Sequence, residues 1–125
     1  MALQILLVED NDRTAQQITE ILADTPFQVT RAKDGLGGLT DAKKSTYDIV
    51  LLDHKMPLMD GLSLLRNLRE LDAYGQTPLL FMTTEDPRQV AEKASRLGAT
   101  RVLAKPLSRE TLLEELKRLA PRYVA

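Results

Sequence analysis

Short, uninterrupted apolar runs alternate along this chain with segments whose apolar residues recur every three or four positions. Ile5-Leu6-Leu7-Val8, Ile49-Val50-Leu51-Leu52 and Leu79-Leu80-Phe81-Met82 are continuous. Such runs predict strands buried on both faces, where neither side of the pleat meets water. Phe27 to Ala32 alternates instead, as a strand nearer a sheet edge does, and Arg101 to Ala104 is a short fifth strand. Pro78 stands at the start of its strand, where a missing N–H is tolerated.

Each strand is followed by a segment of helical period. Ala15, Ile18, Ile21 and Leu22 mark the first helix, with Asn11 or Asp12 as its N-cap. Gly35 to Lys44 is a weaker helix, because Gly37 and Gly38 inside it each cost about 1 kcal/mol against alanine. Leu62, Leu65, Leu68 and Leu71 mark the third. Asp86-Pro87 reads as N-cap and first helical residue before a stripe of Val90, Ala91, Ala94 and Leu97 that stops at Gly98. Ser108 caps a last helix carrying Leu112, Leu113, Leu116 and Leu119, with Pro121 beyond it.

Strand and helix thus alternate five times in 125 residues. This predicts an α/β fold, a (βα)5 doubly wound parallel five-stranded sheet with helices on both faces, since five units are too few for an eight-fold barrel. The length suits one domain over residues 1–125, with no repeat or linker and no appended output domain expected. Hydrophobic residues make up 43%, as in ordinary globular domains. No apolar run approaches the ~20 residues of a membrane span, and MALQILLVED lacks the basic start and cleavage site of a signal peptide.

Composition removes several kinds of chemistry. Without cysteine there is no disulfide framework and no Cys-ligated zinc or iron–sulfur site, which fits a cytoplasmic location. A formal charge of −1, from 17 basic and 18 acidic residues, supplies no global basic field for direct nucleic-acid binding. The single histidine, His54, rules out a three-histidine metal site.

In an open parallel sheet, ligands bind beyond the carboxyl ends of the strands. The residues just after each apolar run are therefore informative. Glu9 and Asp10 come after the first strand, Asp53, His54, Lys55, Met56 and Pro57 after the third, Thr83, Thr84 and Glu85 after the fourth, and Lys105-Pro106 after the fifth. A charged residue after one strand is ordinarily just a solvated loop. Acids, a hydroxyl and a lysine at four strand ends together point to a site. Three carboxylates in a small volume repel one another unless a divalent cation neutralises them, and all-oxygen ligation with room for water suits Mg²⁺. A cation, a lysine and a nucleophilic carboxylate are the groups that phosphoryl transfer requires.

The segments LLVEDN, LLDHKMPLMDG, LLFMTTED and LAKP resemble the four signature segments of the response-regulator receiver domain of two-component phosphorelays, and the likeness covers essentially the whole chain. It implies the flavodoxin-like strand order 2-1-3-4-5. It also implies Asp53 as phosphoacceptor, with Glu9, Asp10, Asp53 and the backbone carbonyl of Lys55 around Mg²⁺. By the same likeness Thr83 is the hydroxyl that moves to the phosphoryl group, and Lys105 pairs with Asp53 before a cis bond to Pro106. The implied partners are a histidine kinase or histidine phosphotransfer domain upstream and an output protein or effector domain downstream. The implied role is a phosphorylation-switched signalling module, which catalyses only its own phosphoryl transfer and dephosphorylation and is not an enzyme acting on separate substrates.

The chain departs from the family where receivers carry a Tyr or Phe three residues before the lysine: Val102 has no ring or hydroxyl to move. That departure motivates the alternative of a phosphorylation-independent docking or dimerisation module. Thr84 stands where the family commonly has alanine. A flavodoxin would need a Gly-rich phosphate loop after the first strand, and an Asp-nucleophile phosphatase a second Asp where Lys55 stands. His54 is expected at the rim of the pocket or in its loop, because neighbouring strand residues point to opposite sides. Lys55 and Glu85, each two residues beyond a site residue on adjacent strands, are expected to meet across the mouth of the site.

Overall fold

A computed structural model describes residues 3–120 of the chain, so Pro121 lies outside the described residues. Five strands, β1 (Gln4–Val8), β2 (Gln28–Ala32), β3 (Ile49–Asp53), β4 (Leu79–Thr83) and β5 (Arg101–Ala104), alternate with α1 (Asp12–Leu22), α2 (Gly35–Lys44), α3 (Gly61–Arg69), α4 (Pro87–Arg96) and α5 (Arg109–Leu119). All strand pairs are parallel, in the order β2-β1-β3-β4-β5. The three continuous apolar runs are the central strands β1, β3 and β4, while the alternating β2 and the short β5 are the edges.

Strand alternation sorts the core into two layers. Ile5, Leu7, Ile49, Leu51, Leu80 and Met82 pack against α1 and α5. Leu6, Val8, Val50, Leu52, Leu79 and Phe81 face the opposite way, toward α2, α3 and α4. Asn11, Asp86 and Ser108 cap their helices as expected, each side chain accepting an N–H of the first turn. Asp34 and Asp60 cap α2 and α3 in the same manner. The helix-weakening glycine in α2 has a packing reason: a Cβ at Gly38 would lie 2.7 Å from Val8 Cγ2. Glycine there lets α2 press directly on β1.

Three packing features are not evident in the sequence pattern. In α3 the fully buried leucines are Leu64, Leu65 and Leu68, whereas Leu62 and Leu71 are only half-buried, so the inward face is rotated from the expected stripe. Tyr74, in a short 3-10 turn (Asp72–Tyr74), is fully buried; its hydroxyl reaches Ala42 O at 2.9 Å and Ser45 O at 2.8 Å and accepts the Tyr47 N–H. It thereby serves the C-terminal carbonyls of α2, which lack helical partners. Glu115, buried among the leucines of α5, accepts from both Nε and Nη2 of Arg101 on β5.

Candidate functional site

The strand order reverses between β1 and β3, and the carboxyl ends of those two strands deliver Glu9, Asp10 and Asp53 to one place. One carboxylate oxygen from each lies within 4.8 Å of the other two. Glu9 and Asp53 are buried and Asp10 is exposed. Lys105, one residue beyond β5, closes the cluster, its Nζ lying 2.7 Å from Glu9 Oε1 and 2.9 Å from Asp53 Oδ1. The Lys105 amide donates to Thr83 O, which ties its backbone to the end of β4. The Lys105–Pro106 bond is cis, as the family likeness implies.

These groups line an open cavity of about 370 Å³, together with Asn11, Thr14, His54, Lys55, Thr84 and Pro106. The electrostatics follow from burial and partners. Burial pushes the Glu9 carboxyl up to about 7, against the hydrogen bonds from Lys105 and the Asn11 amide. Burial would lower Lys105, but its bonds to Glu9 and Asp53 hold the ammonium above its ordinary value. One ammonium therefore serves two buried carboxylates, and the exposed third acid leaves net negative charge at the mouth. This donor set suits a hard divalent cation that retains some of its waters.

Asp53 is held from behind. The His54 N–H donates to Asp53 Oδ1 at 2.9 Å, and Gly61 N donates to His54 O. The start of α3 lies so close that a Cβ at Gly61 would sit 2.2 Å from the carbonyl oxygen of Asp53. Any side chain there would displace the strand end that carries the carboxylate.

Of the expected site residues, Glu9, Asp10, Asp53, Lys55 and Lys105 share the cavity. Thr83 does not line it; the side chain is fully buried on the other face of the sheet, with its hydroxyl on His54 Nδ1 at 2.9 Å and on the Glu85 N–H at 3.0 Å. His54 touches the cavity, but its side chain is only 6% exposed and packs on Phe81 with ring centroids 5.1 Å apart. It thus lies in the loop after β3 and lines the cavity, as expected, and is in addition buried and hydrogen-bonded there. Burial, with Lys55 nearby, lowers its pKa and favours the neutral imidazole. Lys55 and Glu85 do meet across the mouth, at 3.3 Å.

Arg31, near the end of β2, carries no motif that sets it apart in the sequence. Its Nε and Nη2 both donate to the Glu9 carbonyl, at 3.0 and 2.7 Å, and Nη1 reaches Asp12. It fixes the turn that presents Glu9 and Asp10. The one sequence signal is an arginine on an edge strand at the position paired with Leu7.

An acid cluster and a lysine where strand order reverses define the class of doubly wound proteins that gather charge at the switch point. Within that class, the sequence matches the model of the response regulator receiver domain over residues 5–117, and the chain belongs to that family. It is 33% identical to the chemotaxis protein CheY-3 of Vibrio cholerae, over 96% of this chain and 93% of that protein. It is 32% identical to the probable transcriptional regulator ycf29 of Porphyra purpurea over 98% of this chain, but spans only 58% of that regulator's length. Among solved structures, it resembles the receiver domain of the sensor histidine kinase PA1611 of Pseudomonas aeruginosa (TM-score 0.87, 30% identity, 95% of this chain and 98% of that one). That structure has a magnesium ion coordinated in its active-site cleft. The family places the chain in two-component signalling. Among the described residues no helix is long and apolar enough to cross a membrane.

Proposed function

We propose that this chain is a cytoplasmic phosphorylation switch in which Asp53 accepts a phosphoryl group from a histidine kinase or histidine phosphotransfer domain. The observation that carries this reading is the Asp53 carboxylate held by Lys105 in the same cavity as Glu9 and Asp10. A carboxylate oxygen of Asp53 attacks phosphorus as the phosphorus–nitrogen bond of the donor breaks, and the departing imidazole retains the electron pair and takes up a proton. Glu9, Asp10, Asp53 and the Lys55 carbonyl are the residues that would hold Mg²⁺. When bound, that cation supplies charge stabilisation to the phosphoryl oxygens. Lys105 shares that stabilisation and keeps the acceptor aimed into the cavity. The new charge then draws on Thr83 and reorders the loop after β4, altering the surface offered to an output partner.

The acidic pair, acceptor and lysine are all present and in register, so the features that argue for a phosphorylation-independent docking module reduce to Val102 alone. Val102 is half-buried and packs toward α4. Intact-mass measurement after acetyl phosphate treatment with Mg²⁺ tests the proposal. One phosphoryl group should be gained, and lost in Asp53→Asn or in EDTA. An adduct that persists in Asp53→Asn, or none with Mg²⁺ present, refutes it.

A further inference from the structure

We propose that His54 is a positioning residue that latches the Thr83 hydroxyl away from the acceptor site, and so sets how readily the unphosphorylated chain switches. The inference rests on Asp53 being the acceptor and extends that reading to a residue on the opposite face of the sheet.

Strand register brings the two side chains together. Leu52 pairs with Phe81 and Asp53 with Met82, so continuing by one residue sets His54 beside Thr83. Both then project toward α2, α3 and α4, whereas Asp53 follows Ile49 and Leu51 toward the other face. The Thr83 side chain is fully buried, and Phe81 supports the imidazole from the core side.

A hydroxyl has one proton and two lone pairs. The Glu85 N–H uses one lone pair of Thr83 Oγ1, and His54 Nδ1 lies 2.9 Å away. An unprotonated Nδ1 takes the hydroxyl proton; a protonated Nδ1 fills the second lone pair. In the first arrangement a phosphoryl oxygen on Asp53 can gain that proton only if the bond to His54 breaks. An aliphatic side chain at position 54 would leave the buried hydroxyl proton without this partner, and movement toward a phosphoryl group would then cost one hydrogen bond less. With Nδ1 as the acceptor, the His54 imidazole therefore opposes switching, while the His54 backbone N–H, which every substitution at this position keeps, goes on holding Asp53 Oδ1.

The test measures the affinity of beryllofluoride, a phosphoryl mimic, with Mg²⁺ in excess. His54→Leu keeps apolar bulk against Phe81 without a hydrogen-bonding atom and should bind beryllofluoride about fivefold more tightly, the effect of one ordinary hydrogen bond. His54→Asn restores a polar atom near the Nδ1 position and should return toward wild type. In a Thr83→Ala background the change at position 54 should have no effect on affinity, which a merely structural role would not produce. A folded His54→Leu that binds no more tightly than wild type, or a gain that persists with Thr83→Ala, overturns the latch while leaving the acceptor reading intact. A wild type that binds no beryllofluoride overturns both. The single histidine of the chain gives a second readout without mutation. Its Nδ1 nitrogen resonance should lose the signature of a hydrogen bond when beryllofluoride is added at fixed pH, and an unchanged resonance also overturns the latch.

Discussion

Replacing Lys105 with methionine keeps the aliphatic stem and removes the one ammonium shared by two buried carboxylates. The wild-type contacts are 2.7 Å to Glu9 and 2.9 Å to Asp53, with the lysine side chain 10% exposed. Removing one partner of a buried ion pair costs about 3–5 kcal/mol. The lower end is expected here, because Asp53 Oδ1 keeps the His54 N–H, Glu9 Oε2 keeps the Asn11 N–H, and the cavity is open to water. A loss of about 3 kcal/mol is a large fraction of a total near 5–15 kcal/mol. With a urea dependence of about 2 kcal/mol per molar, the midpoint should fall by about 1.5 M. The measurement is urea unfolding followed by circular dichroism at pH 8, above the value of about 7 that burial gives Glu9, with EDTA or with Mg²⁺. Mg²⁺ at tenfold excess over its dissociation constant should stabilise wild type by about 1.4 kcal/mol. Without the competing ammonium the variant should bind Mg²⁺ more tightly, and each tenfold gain adds about 1.4 kcal/mol. Mg²⁺ should therefore rescue Lys105→Met more than it stabilises wild type. A loss below about 1 kcal/mol in EDTA, or equal stabilisation of the two proteins by Mg²⁺, would refute the argument that one ammonium balances this cluster.

Tyr74→Phe should destabilise the fold by about 2 kcal/mol, lowering the melting temperature by roughly 8 °C, because buried groups of α2 and Tyr47 lose their partner; an unchanged melting temperature would contradict this. Asp60, held below its ordinary pKa chiefly by the Ser63 N–H it accepts, should stabilise α3 above the unfolded carboxylate value and lose that contribution as pH falls through the depressed one. The advantage of wild type over Asp60→Ala, about 1 kcal/mol at neutral pH, should therefore narrow in acid, and a gap independent of pH in urea unfolding would exclude the mechanism. Lys55→Ala or Glu85→Ala should speed loss of the phosphoryl group by up to about fivefold, since an exposed ion pair is worth only about 1 kcal/mol. The double variant should add little in lifetime measurements; fully additive effects would show that the two side chains act separately.

The strands and most helix starts are legible in the sequence because their causes are local. Continuous apolar runs identify buried strands, and Asn11, Asp86 and Ser108 carry their capping function in the residue itself. The acids and lysine of the site are legible as strand-end residues, because parallel topology sends every strand's carboxyl end to one edge. Contacts that depend on tertiary geometry are not. Nothing in the sequence pattern singles out Tyr74, because its partners Ala42 and Ser45 lie about thirty residues upstream. The inward face of α3 falls on Leu64, Leu65 and Leu68, and its start abuts the Asp53 carbonyl at Gly61, a contact no helical period encodes. His54 is legible as a residue of the pocket rim or loop, but not as a buried one. Its burial depends on the β3–β4 register, which sets Thr83 beside it on the same face.

Lys105 and Glu9 are 96 residues apart in sequence, and their contact joins the turn after the first strand to the end of the last. The charge balance of the site is therefore complete only when β1 and β5 are both in the sheet. A nascent or truncated chain ending before β5 holds the full set of carboxylates and none of the ammonium. Long loop closures of this kind are entropically slow to form. With Asp53 as the acceptor proposed above, phosphoryl uptake would require the last edge strand to have docked, which ties the switch to completion of the sheet.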